Sequence, residues 1–273
     1  MSSGPITKSF AGYAFDLDGT LYIDDVLLPG ATEVISTIRS GGGRVAFVTN
    51  KPLETAAEYA AKLTRLGVPA EPGDVVTSID ALVLYMWGRH RQARVMPIAE
   101  PPVMVALVEA GFVVTDDPAA TDVVVVAFDR TFDYTKLTAA YRAVRLHGAA
   151  IVATNPDPYC PTSDGGIPDC AAMLAAIEAC TGAKAEATVG KPSRHMAAAV
   201  LERLNVPAGS AAMVGDRLAT DVAMASSFGL AAVLVLTGAT KRDELAASSV
   251  SPDYVIESLR ELLPAGYSSP NNG

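Results

Sequence analysis

The chain has 273 residues, of which 50% are hydrophobic and 19% charged, a balance that excludes a disordered or fibrous protein and is enough for one large core or two. Lys and Arg number 21 against 30 Asp and Glu, a formal net charge of −9. That balance argues against a broad nucleic-acid surface and against an anionic membrane as partner. The three cysteines, Cys160, Cys170 and Cys180, form no CxxC pair, so neither a disulfide framework nor a structural zinc site is expected. They read as buried small hydrophobes. No apolar run approaches the roughly 18 residues of a membrane span, and residues 1–10 lack the apolar core of a signal peptide. A cytoplasmic protein is expected.

In chain order, short apolar runs alternate with helical patterns. Residues 13–15 read as a strand, 31–39 as a helix closed by Gly41, Gly42 and Gly43, and 44–48 as a second strand. Residues 53–66 read as a helix ending at Gly67, and Val75 and Val76 as a short strand. A second block follows, with strands at 94–96, 112–114, 123–128 and 151–153 and helices at 102–110, 135–147 and 169–181. The first rhythm then resumes. Strands are expected at 187–189, 211–214, 231–236 and 254–256, and helices at 193–204, capped by Ser193, and 221–228. This βαβ alternation predicts an α/β fold, a doubly wound parallel sheet covered by helices on both faces. The expected division is a core of residues 1–79 and 183–273 and an inserted α/β domain of 80–182. The tail, 265–273, is rich in Ser, Pro, Asn and Gly and reads as loose.

Asp16-Leu17-Asp18-Gly19-Thr20 follows the first strand directly. Period-two alternation puts Asp16 and Asp18 on one side just past the strand end. Two carboxylates so close repel unless a cation lies between them, and oxygen donors without His or Cys favour Mg²⁺. The plain alternative is a solvated Asp-Gly turn. Three more polar segments end other strands: Thr49-Asn50, Gly190-Lys191-Pro192-Ser193, and Gly215-Asp216 with Asp221 five residues on. Singly, each reads equally as a turn, a cap or a solvated charge. In an open parallel sheet, however, ligands bind beyond the carboxyl ends of the strands, where these residues would converge.

Together these segments resemble the four signature motifs of the haloacid dehalogenase superfamily of phosphotransferases. The insertion, with Ala153-Thr154-Asn155-Pro156-Asp157 and Pro161-Thr162-Ser163-Asp164-Gly165, is similar to that of the subfamily of sugar-phosphate and p-nitrophenyl-phosphate phosphatases that includes the N-acetylglucosamine-phosphate phosphatase. The resemblance implies a Mg²⁺-dependent hydrolase of small phosphomonoesters working through an aspartyl-phosphate. It makes Asp16 the nucleophile and Asp18 the acid/base, and it implies metal binding by Asp16, Asp18 (through its carbonyl), Asp216 and Asp221. It gives phosphate binding to Gly19, Thr49, Asn50 and Lys191. The inserted domain becomes a cap, with Asn155, Asp157 and Pro158 as its substrate loop, which otherwise reads as an Asn-Pro turn. Arg130 reads first as a structural or surface charge and second as a substrate contact. Lys51, where many relatives carry a second Asn, reads equally as a rim cation or a surface residue. His90 and His147 read as surface residues, and His195 has no evident nucleophile partner.

The partner implied is a small phosphorylated metabolite, with no nucleic acid and no membrane; a homo-oligomer is left open. A phosphotransferase or phosphomutase shares the same first step and stays an alternative, as does a non-catalytic phosphate-binding regulatory protein. Gly190-Lys191 does not complete a P-loop, Gly41-Gly42-Gly43 precedes a strand instead of following one, and no G-x-S-x-G elbow occurs.

Overall fold

Two parallel sheets organise the chain, each with helices on its connections. The computed structural model describes residues 8–160 and 166–263. These fall into two units, one containing the chain up to Thr49, Ala56–Val76 and the chain from Ala197 on, the other Asn50–Thr55 and Thr77–Met196. The expected loop at 161–165 and the expected loose tail lie outside the described residues.

Among the described residues, the strands of the first unit's parallel sheet number six. They are β1 (Gly12–Asp16), β2 (Arg44–Thr49), β3 (Val75–Thr77, whose last residue falls in the second unit), β9 (Ala211–Gly215), β10 (Ala231–Val235) and β11 (Tyr254–Ile256), in the spatial order β11-β10-β9-β1-β2-β3. β1 pairs in parallel with both β2 and β9, and β10 pairs in parallel with β9 and β11. Ala14 and Phe15 in β1, and Ala46, Phe47 and Val48 in β2, have no exposed surface. Near-continuous apolar strands are what a sheet covered on both faces requires. α1 (Ala31–Ser40) buries Ala31, Val34 and Ile35, and α2 (Ala56–Arg65) buries Tyr59, Ala60 and Leu63, in each case residues linked by steps of three and four on the core-facing stripe of a helix. Burying each of Phe15 and Phe47 contributes roughly 1.5–3 kcal/mol. Helix α2 starts at Ala56, three residues later than expected, because residues 52–54 turn and bend.

The second unit has its own five-stranded parallel sheet. Its strands are β4 (Arg94–Ile98), β5 (Val113–Val114), β6 (Val123–Val126), β7 (Ala150–Ala153) and β8 (Ala187–Thr188), in the order β8-β7-β6-β4-β5. The helices are α3 (Ser78–Arg89), α4 (Pro101–Glu109), α5 (Tyr134–His147) and α6 (Cys170–Thr181), and α7 (Arg194–Leu204) begins in this unit. Val123 to Val126 are all fully buried. Pro97 sits inside β4 because β5 pairs only Arg94 and Val95, so a missing N–H at position 97 breaks no ladder. Cys170 is buried in this core, where burial pushes its thiol up to about 11 and leaves it inert.

Strand β8 and helix α3 depart from the sequence expectation. Strand β8, read with the C-terminal core, joins the second sheet instead, paired with β7 and extended by Glu186 N–H to Ile151 and Val189 N–H to Ala153, each at 2.9 Å. The second unit accordingly runs to Met196, beyond the expected 182. Helix α3 was not anticipated. A capping box starts it: Thr77 Oγ1 accepts from Asp80 N–H at 3.2 Å, and Asp80 accepts from Thr77 N–H at 2.7 Å.

Candidate active site

Strand register builds the site in the first unit. Asp16 is the last residue of β1 and lies opposite Val48, while Phe15 lies opposite Val214. Asp16, Thr49 and Asp216 therefore come off adjacent parallel strands within about one residue of the same level. Counted by chain order, the strands of this sheet run 6-5-4-1-2-3, so the reversal of strand order falls between β1 and β9, the two strands that end in Asp16 and Asp216.

Asp16, Asp216 and Asp221 are all buried, and each offers a carboxylate oxygen within 4.8 Å of the others. Asp221 reaches the cluster because the chain after Arg217 makes one wide helical turn, Leu218–Val222, before α8 (Ala223–Phe228). Its Oδ2 accepts from Arg217 N–H at 3.1 Å. Asp216 Oδ2 accepts from Ala239 N–H at 2.6 Å. Glycines make room for these carboxylates. A Cβ on Gly19 would lie 2.5 Å from Asp216 Oδ2, and one on Gly215 would lie 2.3 Å from Asp221 Cγ. Gly19 also has φ 86°, a left-handed conformation suited to glycine, and its carbonyl accepts from Thr237 Oγ1 at 2.7 Å.

Three buried carboxylates this close are mutually repulsive as bare anions. Their donors are all hard oxygens, without His or Cys, which fits a divalent cation such as Mg²⁺ or Ca²⁺. The sequence expectation grouped Asp18 with these residues. Its side chain is half-buried and is not a member of the carboxylate cluster among the described residues. Thr49 is buried at the end of β2.

The other expected residues lie in the second unit, where Asn50 gathers them. Asn50 Oδ1 accepts from Lys191 N–H at 2.7 Å, and Asn50 Nδ2 donates to the Lys191 carbonyl at 3.1 Å and to Asp157 Oδ2 at 2.9 Å. The Asn50 carbonyl accepts from Asn155 Nδ2 at 3.1 Å and from Ser78 Oγ at 2.7 Å. Asn155 Oδ1 in turn accepts from Asp157 N–H at 3.0 Å. Gly190 permits this approach, since a Cβ there would lie 2.6 Å from Asn50 Oδ1. Asn155 and Lys191 are buried, Asp157 and Lys51 half-buried, and Pro158 exposed.

Sequence reasoning missed two arrangements in this unit. His90, read as a surface residue, bonds through Nε2 to Glu186, which also accepts from Tyr85 OH at 2.8 Å. Burial and the Glu186 carboxylate push the Tyr85 hydroxyl up to about 12. Glu100, given no role from sequence, holds Arg130. Both link residues distant in the chain, and no local pattern announces them.

A family model described as haloacid dehalogenase-like hydrolase matches residues 13–113, and one described as HAD-hydrolase-like matches residues 188–262. Sugar-phosphatase AraL of Bacillus subtilis is 33% identical over 262 residues, covering 96% of this chain and 95% of that protein. The 5′-nucleotidase YutF of Bacillus subtilis is 31% identical over 257 residues, covering 94% and 99%. Among solved structures, a 4-nitrophenylphosphatase from Thermotoga maritima superposes with a TM-score of 0.88 at 36% identity, covering 93% of this chain and 96% of its own. NagD from E. coli K-12 gives 0.83 at 29% identity, covering 92% and 98%.

Proposed function

The chain belongs to the haloacid dehalogenase superfamily and is a phosphatase of that type, and from this premise we propose that it is a Mg²⁺-dependent hydrolase of small phosphomonoesters, sugar phosphates foremost, working through an aspartyl-phosphate on Asp16. The observation that carries the reading is the trio of buried carboxylates at the strand-order reversal of the first sheet.

Asp16, Asp216 and Asp221 would hold the cation, with the backbone carbonyl of Asp18 as a further ligand. Bound there, Mg²⁺ supplies positive charge against the repulsion between a carboxylate nucleophile and an anionic phosphate. The remaining chemistry belongs to the chain. An Asp16 oxygen forms a bond to phosphorus as the bond from phosphorus to the leaving oxygen breaks, and Asp18 gives that oxygen its proton. Asp18, now ionised, takes a proton from water as the water oxygen bonds to phosphorus. The Asp16–phosphorus bond then breaks, and inorganic phosphate leaves. Thr49 Oγ1, the backbone N–H of Asn50 and the Lys191 ammonium are assigned to the phosphoryl oxygens, whose charge they offset, and Gly19, without a side chain, to the close approach of the phosphate. Asn155, Asp157 and Pro158 are assigned to the leaving group, and residues 80–182 to the body of a cap. The hydrogen bonds that fix Asn50 against Lys191, Asn155 and Asp157 support treating these residues as one functional group. Among the described residues, no helix is long and apolar enough to cross a membrane.

Phosphate release measured across sugar phosphates, glycerol phosphate, nucleoside monophosphates and p-nitrophenyl phosphate, with and without EDTA, tests the proposal. Turnover that requires added Mg²⁺ supports it, and equal rates in EDTA would remove the metal from the account.

A further inference from the structure

The second sheet has a strand-order reversal of its own. Counted by chain order within that unit, its strands run 5-4-3-1-2, so the reversal lies between β4 and β6. The crevice beyond the carboxyl ends of two such strands is where an open parallel sheet takes a ligand.

Glu100 follows β4 by two residues, Arg130 follows β6 by four, and the pair spans this crevice. Arg130 donates from Nε to Glu100 Oε1 and from Nη2 to Glu100 Oε2, both at 2.5 Å, and its backbone N–H donates to Oε1 at 3.2 Å. The Glu100 side chain is 10% exposed and that of Arg130 is 58% exposed. The guanidinium lies 5.9 Å from the Phe128 ring centroid, which supports it on a second side. Its fork to Glu100 uses two of five N–H bonds, and three donors remain on a side chain that is more than half exposed. β6 and β7 pair in parallel with Val126 opposite Ala153, so Arg130 leaves the sheet at the same edge as Asn155 and Asp157, which follow β7.

The electrostatics of the crevice say what those donors would take. The hydrogen bonds from Arg130 hold the Glu100 carboxyl below its usual range, so both partners are ionised at neutral pH and their charges cancel. Asp129 beside them is likewise matched by Lys136 at 2.5 Å. Two neutralised pairs offer a second full anion little attraction. A hydroxyl oxygen carries two acceptor lone pairs, and a sugar presents several such oxygens side by side to fixed N–H donors.

We propose that Arg130, held in place by Glu100, is a specificity-determining residue that donates to the hydroxyl oxygens of a polyhydroxylated leaving group and so selects sugar phosphates over esters with apolar leaving groups. This rests on the phosphatase reading above and adds to it the residue that reads the leaving group.

The test compares kcat/KM for a hexose monophosphate and for p-nitrophenyl phosphate in the wild-type chain, Arg130→Gln, Arg130→Lys, and the double variant Glu100→Gln/Arg130→Gln, which avoids stranding a covered carboxylate. The ratio of hexose phosphate to p-nitrophenyl phosphate is expected to fall at least about tenfold in Arg130→Gln and in the double variant, mainly through a higher KM for the sugar phosphate. Arg130→Lys restores the charge without the fork, and its ratio is expected to stay low. An unchanged ratio in a variant that still turns over p-nitrophenyl phosphate, or full recovery with lysine, would overturn the inference and leave the phosphatase reading standing. A wild-type chain that hydrolyses neither ester would overturn both.

Discussion

Gly238→Ala isolates the geometry of the carboxylate cluster. Gly238 follows β10, and a Cβ on it would lie 2.0 Å from Asp216 Oδ2, 2.6 Å from Asp216 Cγ and 2.8 Å from Asp216 Cβ. None of these separations is tolerable, and Asp216, 2% exposed with Oδ2 bonded to Ala239 N–H at 2.6 Å, has no open space to swing into. Gly238 is not among the glycines with positive φ, so alanine adds no backbone strain and the effect is steric. Overpacking of this kind costs about 1–3 kcal/mol. Displacing a carboxylate that holds a metal should weaken metal affinity by roughly 10–100-fold, the scale seen when a ligand's support is lost. Gly209→Ala is the control, since a Cβ there meets nothing within 4 Å and its φ is not positive. The assay is phosphatase rate against Mg²⁺ concentration, with melting temperature followed in parallel. The half-saturating Mg²⁺ should rise by roughly 10–100-fold in Gly238→Ala and stay put in Gly209→Ala. A folded Gly238→Ala chain that titrates like wild type would refute the assignment of Asp216 to the metal.

Three further outcomes are expected. Asp16→Asn should abolish turnover while far-UV circular dichroism stays that of the wild type. Asn50→Ala removes the side-chain bonds to Lys191 and Asp157 and should cost about 1–3 kcal/mol in urea unfolding, with a lower kcat/KM for every ester. Asp122 is held down to about 2, from an ordinary 3.8, by the side-chain hydrogen bonds of Arg94. A depressed folded-state value stabilises above the unfolded one and is lost as pH falls through the folded one, so this contribution fades between about pH 4 and 2. Arg94→Gln should remove that part of the acid limb in a plot of melting temperature against pH.

Residues that act at strand ends were legible in the sequence, because an apolar run fixes where the strand stops. Asp16, Thr49 and Asp216 were placed that way, and register puts them almost level. Asp221 needed the wide turn after Arg217, which the spacing suggested without its form. Strand β8 went to the wrong sheet because two residues carry no periodicity and only the pairing partner decides their membership. Helix α3 was missed because its stripe is blurred, with Leu84 and Trp87 exposed among buried Ile79, Leu82 and Met86. The Thr77–Asp80 capping box was the available signal. Glu100 and Arg130 are 30 residues apart, and Asn50 reaches across 105 to 141 residues to Asn155, Asp157 and Lys191. Such pairs are set by topology, and no local pattern encodes them.

In the proposed mechanism, phosphate is carried on Asp16. Acid-quenching the enzyme during steady-state turnover of p-nitrophenyl phosphate, followed by peptide mass spectrometry, tests it directly. A phosphorylated peptide mapping to Asp16, present with substrate and Mg²⁺ and missing in Asp16→Asn, is the predicted result. Undiminished phosphate release by Asp16→Asn, with no adduct on Asp16 in the wild type, would contradict the account.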